Sequence, residues 1–499
     1  MRHDLKTVVE AQKARLDEAR PVAVAKQRKR GRLTVREAIA GLADGDSFVE
    51  YGGLTRPATA GMEGAADGLV MGTAKVEGRP VDLVAYDYTV YAGTQSAFNH
   101  AKITRMYEHA EKHRLPVISW LDGGGARPHD MHVTGRPSTP TFVVFARLSG
   151  WVPTVGIVPG RAFAGHANLA GLCDILIATP DSAMGMAGPP LVEAALGTRF
   201  TPEEIGPAAA HLASGVIDVL VDDDTQAIEV AKRYLAFFDL AREPGEAHDQ
   251  TPLREIVPDS PRRAYNVRKV IETLADKGSV LELKAAYGKA GVTALARIGG
   301  RTVGVIANQP MFLAGAMDTP CCIKMARFIQ LCDAFDIPLV VLCDTPGLMV
   351  GPDVEKTGLM RHSARVLSAL ANATVPVMTV VLRKAYGLGY YIMGSRPLDP
   401  AILLAWPTAE FGGMGLEGAV NIINKRELDE APTPEARATL HAELTAALKK
   451  SGTAVESAAK FLYDDVIDPA DTRSILIKTL DTLPVPAQRP QRKRIIDPF

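Results

Sequence analysis

A long internal repeat is the feature of this sequence that most limits its possible folds. Four segments of the first half recur in the second half, in the same order and at nearly the same spacing. The matched segments are LTVREAIAGLADGDSFVEY (33–51) with YNVRKVIETLADKGSVLELK (265–284), GRPVDLVAYDYTVYAG (78–93) with GRTVGVIANQPMFLAG (300–315), LPVISWLDGGG (115–125) with IPLVVLCDTPG (337–347), and the apolar runs that begin at Pro153 and Pro376. Asp44 and Asp276 lie 232 positions apart, and Gly78 and Gly300 lie 222 apart. This pattern predicts two homologous domains of about equal size.

The length of the chain supports the same division. Its 499 residues exceed what a single hydrophobic core organises. The stretch AREPGEAHDQTPLREIVPDSPRR (241–263) is rich in proline and charge, which is typical of a linker. We therefore predict an N-terminal domain over residues 1–250 and a C-terminal domain over residues 251–499.

Each half alternates between apolar strands and helical patterns. The segments FNHAKITRMYEHAEKH and CCIKMARFIQLCDAFD have helical periodicity, and they lead into the strands LPVISWLD and IPLVVLCD. A strand, helix, strand order implies right-handed crossovers and a largely parallel sheet. The sequence thus predicts that each half is an α/β layered domain.

Matching glycine turns follow a buried strand in each half. PTVGIV is followed by GRAFAGHANLAGL (160–172), and PVMTVVL is followed by KAYGLGYYIMG (384–394). Backbone N–H groups at the start of a helix have no internal partner, and small residues let an oxygen approach them. The turns fit a pair of oxyanion holes. The alternative is that the small residues only let a helix pack closely on the sheet.

Glycine-bearing loops also follow the preceding strands. They read DGGGARPHDMH (122–132) and DTPGLMVGPDVEKTG (344–358). Open α/β sheets place ligands at the carboxyl ends of their strands, so these loops are candidates for lining a cleft. No Walker loop or dinucleotide fingerprint accompanies them. His166 lies in the first turn, where it could transfer a proton or supply only its backbone N–H.

Bulk properties argue against several classes of protein. The formal net charge of −1 does not suit a general nucleic-acid binder. The apolar runs are much shorter than the roughly 20 residues of a membrane helix. The five cysteines form no CxxC pair, and no metal-binding spacing is present. We expect a cytoplasmic protein that binds no metal, no membrane and no nucleic acid.

Several long motifs resemble one enzyme family. The chain is similar, over nearly its whole length, to the carboxyltransferase (beta) subunits of acyl-CoA carboxylases, the family of propionyl-CoA and methylcrotonyl-CoA carboxylases. The most specific motifs are RFTPEEIGPAAAHLASGVID (199–218), ARFIQLCDAFDIPLVVLCDTPG (326–347), RKAYGLGYYIMG (383–394) and AWPTAEFGGMGLEGAV (405–420).

The resemblance implies a fold, a reaction and partners. Each half would be a crotonase-like (ClpP/crotonase ββα superhelix) domain, with acyl-CoA on the N-terminal domain and biotin on the C-terminal domain. Carboxybiotin would deliver CO2 to the α-carbon of an acyl-CoA thioester, and biotin itself would take the α-proton. The chain has no AMKM-like biotinylation site and no ATP-grasp signature. The biotin would therefore belong to a partner carrier with its biotin carboxylase, and the chain would form a hexamer built from dimers.

The same resemblance assigns residues to the two sites. Two anions, an enolate and a ureido oxyanion, would need two oxyanion holes. The catalytic backbone donors would be Gly165, His166, Leu388 and Gly389. The substrate-binding residues would be Gly124, Gly125, Ala126, Ala164, Tyr391, Gly413, Met414 and Gly415.

Departures from the family pattern leave alternatives open. The family has AGGA where this chain reads AFAGHA, and AYGGAYD where it reads AYGLGYY. Tyr391 replaces an aspartate beside the acyl pocket, which argues against simple propionyl-CoA as the substrate. One alternative is an acyl-CoA decarboxylase, or another crotonase-type enzyme, that needs no biotin. Another is a scaffold subunit without catalytic activity.

Overall fold

The computed structural model describes residues 2–132, 140–258, 260, 263–483 and 495–498. The chain divides into two compact units. Of the described residues, the first unit comprises 2–132, 140–238 and 495–498, and the second comprises 239–258, 260 and 263–483. Both units are mixed α/β, as the sequence predicts.

Within its described residues, the first unit has nine strands. They are β1 (Val49–Glu50), β2 (Leu69–Val76), β3 (Arg79–Tyr86), β4 (Val117–Trp120), β5 (Thr154–Val158), β6 (Arg161–Phe163), β7 (Ile175–Ala178), β8 (Ala183–Gly185) and β9 (Val219–Leu220). The helices are α1 (His3–Ala14), α2 (Pro21–Lys29), α3 (Val35–Leu42), α4 (Ala97–His113), α5 (Thr141–Ala146), α6 (Gly165–Gly171), α7 (Pro189–Leu196), α8 (Pro202–Ile205), α9 (Ala208–Ala213) and α10 (Asp224–Ala236). Short 3-10 turns lie at Asp17–Ala19, Ala65–Gly68, Tyr91–Gly93 and Pro128–His132.

The main sheet of the first unit has the order β1-β2-β3-β4-β5-β7-β9. The β1–β2 and β2–β3 ladders are antiparallel, and the others in this sheet are parallel. β6 and β8 form a separate parallel pair beyond the ends of β5 and β7. This arrangement places the turn after β6 past the carboxyl end of the main sheet.

The second unit has the matching set of strands. They are β10 (Leu281–Leu283), β11 (Gly291–Ile298), β12 (Arg301–Asn308), β13 (Leu339–Thr345), β14 (Val377–Tyr386), β15 (Ile402–Ala405), β16 (Glu410–Gly412) and β17 (Asp465–Val466). The helices are α11 (Leu253–Ile256), α12 (Val267–Leu274), α13 (Thr319–Ala334), α14 (Pro352–Glu355), α15 (Leu359–Ala371), α16 (Gly387–Tyr391), α17 (Leu416–Ile423), α18 (Lys425–Asp429), α19 (Pro434–Ser451), α20 (Ala454–Ala458) and α21 (Thr472–Thr482). Short 3-10 turns lie at Leu313–Gly315, Arg396–Leu398 and Pro469–Asp471.

The two units share one strand order. The second sheet runs β10-β11-β12-β13-β14-β15-β17, again with two antiparallel ladders followed by parallel ones. The end of β14 pairs with β16, as β6 pairs with β8 in the first unit. The internal repeat of the sequence is therefore a repeat of the whole sheet topology.

The aspartates matched in the repeat make the same contact in both units. The carboxylate of Asp44 accepts the N–H of Gly78 at 2.6 Å, and that of Asp276 accepts the N–H of Gly300 at 2.8 Å. Each bond closes the hairpin turn between two antiparallel strands, β2–β3 or β11–β12. Both hairpin turns use a carboxylate to accept the N–H of a glycine, which explains why the two aspartates and the two glycines recur in the repeat.

A second matched pair of aspartates lies near the carboxyl ends of β4 and β13, Asp122 two residues after β4 and Asp344 one residue before the end of β13. Asp122 accepts the N–H of Arg161 at 2.9 Å, and Asp344 accepts the N–H of Lys384 at 3.2 Å. Burial raises the pKa of Asp122, while the guanidinium of Arg32 at 3.5 Å acts in the opposite direction. These bonds join the loop after one strand to the segment that leads into the glycine turn.

The described residues of the segment predicted as a linker, 241–258, 260 and 263, belong to the second unit. Leu253 and Val257 lie in the hydrophobic core of that unit, and Ala247 pairs with Asp276. The polar composition of the segment reflects its exposed residues, whereas its few apolar residues attach it to the domain. Each unit has a core of its own.

Candidate functional site

The first candidate site is the turn between β6 and α6. Ala164 has φ 51° and ψ −117°, a conformation that glycine adopts far more readily than alanine. Its N–H donates to the carbonyl of Gly185 at 2.9 Å, which ties the turn to β8. The next two N–H groups, of Gly165 and His166, have no acceptor among the described residues. They are the donors that the sequence predicts for an oxyanion.

The glycine loop after β4 lies against this turn. A Cβ atom on Gly125 would be 3.2 Å from Cβ of Ala164. The N–H of Gly124 donates to the carbonyl of Ala92 at 3.0 Å, and Ala126 forms a bridge with Gln95. The structure thus brings together the predicted first-unit residues on the two loops.

His166 is fully buried beneath the turn. Its ring packs edge-on against Tyr86, with 4.3 Å between centroids, and Nε2 would lie 2.3 Å from a Cβ atom on Gly123. Burial lowers the pKa of His166 to about 3. The imidazole is therefore neutral near pH 7, and of the two roles open to this residue the backbone donor fits its position.

We expect His166→Ala to leave the pH profile of kcat/KM unchanged between pH 5.5 and 8.5. The folded-state pKa lies below the ordinary value of 6.5. The unfolded chain therefore takes up a proton as the pH falls through 6.5, which destabilises the wild-type fold toward about pH 3. The variant has no histidine at this position and so lacks this loss of stability. Its thermal unfolding midpoint should therefore fall less between pH 7 and pH 5 than that of the wild type. An inflection near pH 6.5 that disappears in the variant would contradict the assignment.

The strained alanine of the turn gives a second prediction. We expect Ala164→Gly to stabilise the protein by about 1 kcal/mol, because glycine relieves a backbone conformation that is costly for alanine. The thermal midpoint measures this gain. Ala442→Gly, in the exposed face of α19, is the matched control and should lower stability by about 1 kcal/mol. A lower thermal midpoint in both variants would contradict the assignment of backbone strain to Ala164.

The second candidate site is the turn between β14 and α16. Gly387 has φ 55° and occupies the position equivalent to Ala164. Leu388 is exposed and Gly389 is buried, and within the described part of the chain neither N–H has an acceptor. A Cβ atom on Gly389 would lie 2.5 Å from Cα of Gly347. The loop after β13 is therefore pressed against this turn, as its counterpart is in the first unit.

The remaining predicted residues surround the second turn. The carbonyl of Gly413 would lie 2.8 Å from a Cβ atom on Gly387, and no atom lies within 4 Å of one on Gly415. Met414 is exposed. Tyr391 is 40% exposed on α16, so its phenol is accessible to a ligand. Each turn thus has its own set of predicted residues, one set in each unit.

Sequence reasoning missed two features of the first site. Oε1 of Gln95 would lie 2.0 Å from a Cβ atom on Gly165, so this amide fills the side-chain space of the turn. Arg127 is buried and forms an ion pair with Asp67. Arg127 directly follows the Gly124–Ala126 loop, which was a usable signal, but Asp67 is 60 positions away in sequence.

No group of three or more His, Cys, Asp or Glu residues suited to a metal ion occurs in the described ranges. No helix within those ranges is long and apolar enough to cross a membrane.

The chain is similar to proteins of known sequence and structure over almost its whole length. The family model described as the carboxyl transferase domain matches residues 26–495. The chain is 37% identical to the methylmalonyl-CoA carboxyltransferase 12S subunit of Propionibacterium freudenreichii subsp. shermanii, over 94% of this chain and 92% of that protein.

Two solved structures are also similar. The transcarboxylase 12S crystal structure, a hexamer with methylmalonyl-coenzyme A bound, has a TM-score of 0.89 and 36% identity, covering 98% of this chain and 97% of that one. A single-chain, multi-domain long-chain acyl-CoA carboxylase has a TM-score of 0.90 and 42% identity over 96% of this chain. This chain spans only 50% of that larger protein.

Proposed function

Because the chain belongs to the carboxyl transferase family, we propose that it is the carboxyltransferase subunit of a biotin-dependent acyl-CoA carboxylase. It moves a carboxyl group from carboxybiotin to the α-carbon of an acyl-CoA thioester. Its two units are the tandem crotonase-like domains of the family. The first unit takes the acyl-CoA, and the second takes biotin.

The observation that carries this proposal is the duplicated turn. Each unit has a pair of neighbouring N–H groups without an acceptor in the described residues, at equivalent places after β6 and β14. Carboxyl transfer develops negative charge on an oxygen of each of its two reactants. Donors aimed at such an oxygen, in a site that excludes water, are worth about 3–4 kcal/mol each. A reaction in which two reactants each develop an oxyanion uses both turns, whereas a reaction of acyl-CoA alone would use only one.

In the first unit, the N–H groups of Gly165 and His166 hold the thioester oxygen. They stabilise the enolate that forms when the α-proton leaves, while Gly124–Ala126 and Ala164 line the acyl side of the turn. The buried, neutral ring of His166 takes no proton in this scheme. The turn therefore contributes through its backbone.

In the second unit, the N–H groups of Leu388 and Gly389 hold the ureido oxygen of biotin. The acceptor-free donors and the glycine cradle around them fit such a group. Biotin, when bound in its carboxylated form, would supply the carboxyl group and, having lost it, would accept the α-proton of the thioester. Gly413–Gly415 line the approach to this turn, and Tyr391 ends α16 with its phenol exposed.

We propose that a partner supplies the biotin and that the chain assembles as a hexamer. The partner is a biotin carrier that is charged by a biotin carboxylase. Light scattering after size-exclusion chromatography should give the mass of six chains. A monomer or dimer would contradict the hexamer without affecting the proposed reaction.

Reconstitution tests the proposed reaction. The purified chain alone should not carboxylate acyl-CoA thioesters from ATP and labelled bicarbonate. Addition of a biotin carboxylase and a biotinylated carrier should transfer label to at least one acyl-CoA from a panel of short, branched and long chains. Failure with every thioester would refute the proposal. Rapid loss of CO2 from a malonyl-type thioester without biotin would favour a decarboxylase instead.

A further inference from the structure

A buried ion pair fixes the Gly124–Ala126 loop, and the mechanism above gives it no role. Arg127 follows this loop directly and is 2% exposed. Its Nη1 lies 2.5 Å from Oδ1 of Asp67, which is completely buried at the turn before β2. The same Nη1 lies 3.6 Å from Oδ2 of Asp130, which is also buried, so two carboxylates share the guanidinium. Loss of Arg127 alone would leave uncompensated buried charge on both of them.

The guanidinium of Arg127 joins three segments of the first unit. Nη2 donates to the carbonyl of Thr94 at 3.3 Å and to that of Asp67 at 3.4 Å. Nε donates to Oγ1 of Thr94 at 3.3 Å, and the group lies over the ring of Tyr91, 5.0 Å from its centroid. The turn before β2, the corner before α4 and the loop after β4 are thereby held together. Because the guanidinium faces protein on all these sides, Arg127 positions the loop without contacting substrate.

The backbone of this loop is held in the same way in both units. The N–H of Gln95 donates to the carbonyl of Gly125, and the N–H of Arg127 donates to that of Gln95, each at 2.7 Å. The matching bonds of the second unit run from Met317 to Gly347 at 3.1 Å and from Met349 to Met317 at 3.0 Å. The ion pair is therefore not required to form this loop.

Among the described residues, this ion pair has no counterpart at the equivalent positions of the second unit. Lys289 and Met349 occupy the positions 222 residues after Asp67 and Arg127, so the second unit has no such pair there. A pair that served only the shared fold would be needed in both units. Its restriction to one unit links it to what that unit alone is proposed to do.

We infer that the Asp67–Arg127 pair is a positioning device for acyl-CoA, holding the glycine loop at the spacing from Ala164 and Gly165 that the thioester requires. The inference rests on the proposed function, because it takes the first unit as the acyl-CoA side. The pair acts on one reactant and leaves the biotin side unaffected. Kinetics that separate the two reactants can therefore test it.

The test replaces the guanidinium and both of its carboxylates together, as Asp67→Asn and Asp130→Asn with Arg127→Met. Neutral replacement of a buried ion pair is often tolerated, and methionine is the residue that the second unit has at this position. We expect the KM for acyl-CoA and the calorimetric Kd for propionyl-CoA or a longer thioester to rise about tenfold. The KM for the biotinylated carrier should stay within twofold. Arg127→Lys should give an intermediate KM for acyl-CoA, because the compact ammonium group of lysine cannot donate to Asp67 and Thr94 with the planar geometry of a guanidinium.

Glu111→Gln with Arg147→Met is the matched control, because it removes an exposed ion pair of the same unit and should leave both KM values unchanged. Wild-type KM and Kd values in the triple variant of Asp67, Arg127 and Asp130 would overturn the inference and leave the proposed function intact. An equal rise in the KM values for acyl-CoA and for the biotinylated carrier would also overturn it, because the effect would then not be confined to acyl-CoA. Failure of the wild-type chain to bind any acyl-CoA would overturn both.

Discussion

We expect Gly389→Ala to lower the rate of carboxyl transfer by about 10²–10³-fold. A Cβ atom on Gly389 would lie 2.5 Å from Cα and 2.7 Å from the carbonyl carbon of Gly347. Both atoms belong to backbone, so no side chain can move aside to make room. Relief of the overlap requires α16 and the loop after β13 to separate by about 1 Å, and a displacement of that size costs about 10²-fold in rate. The measurement is transfer from a charged biotinylated carrier to acyl-CoA.

Two comparisons show whether this loss comes from the second turn. Gly418→Ala lies on exposed helix α17, where an added Cβ meets no atom within 4 Å, and it should keep the wild-type rate. The Kd of the Gly389→Ala variant for acyl-CoA should stay within twofold, because the first unit is unchanged. A variant that transfers carboxyl groups at the wild-type rate would exclude the Leu388–Gly389 turn from the reaction.

The repeat in the sequence made most of the fold predictable. The helix expected over FNHAKITRMYEHAEKH is α4, and the helix over CCIKMARFIQLCDAFD falls within two residues of α13. These helices, and the buried strands that follow them, depend on local periodicity and capping, which a single sequence contains. Matching aspartates at the strand ends were visible as well, although their hydrogen bonds to the neighbouring segment were not.

The contacts that shape the first site were not predictable in the same way. Asp67 meets Arg127, and Gln95 meets Gly165, only because the sheet brings the turn before β2 and the corner before α4 beside the loop after β4. Such contacts depend on tertiary packing and have no local signature. The left-handed backbone at Ala164 was also missed, although a glycine at the equivalent position in the second half was a usable signal.

We expect Gly165→Ala to lower the rate of carboxyl transfer by about 10–100-fold, because it displaces the donors of the turn. We expect removal of the Gln95 side chain to reverse much of this loss. A Cβ atom on Gly165 would lie 2.0 Å from Oε1 and 3.0 Å from Nε2 of Gln95. Gln95 is 5% exposed, and its Nε2 donates to Oη of Tyr86 at 3.3 Å, so the amide has little freedom to retreat. The added methyl group therefore displaces the turn and its donors.

The double variant Gln95→Ala with Gly165→Ala separates this explanation from a backbone effect. Gly165 lacks the positive φ of Ala164, so alanine is strained there only by the contact with Gln95. The double variant should approach the rate of Gln95→Ala alone, a coupling that only residues in direct contact show. No comparable rescue exists for Gly389→Ala, because the atoms that obstruct it are backbone. A double variant as slow as Gly165→Ala would show that the Gln95 side chain is not what limits the space at this turn. It would then follow that an added methyl group slows the reaction at both turns through the backbone.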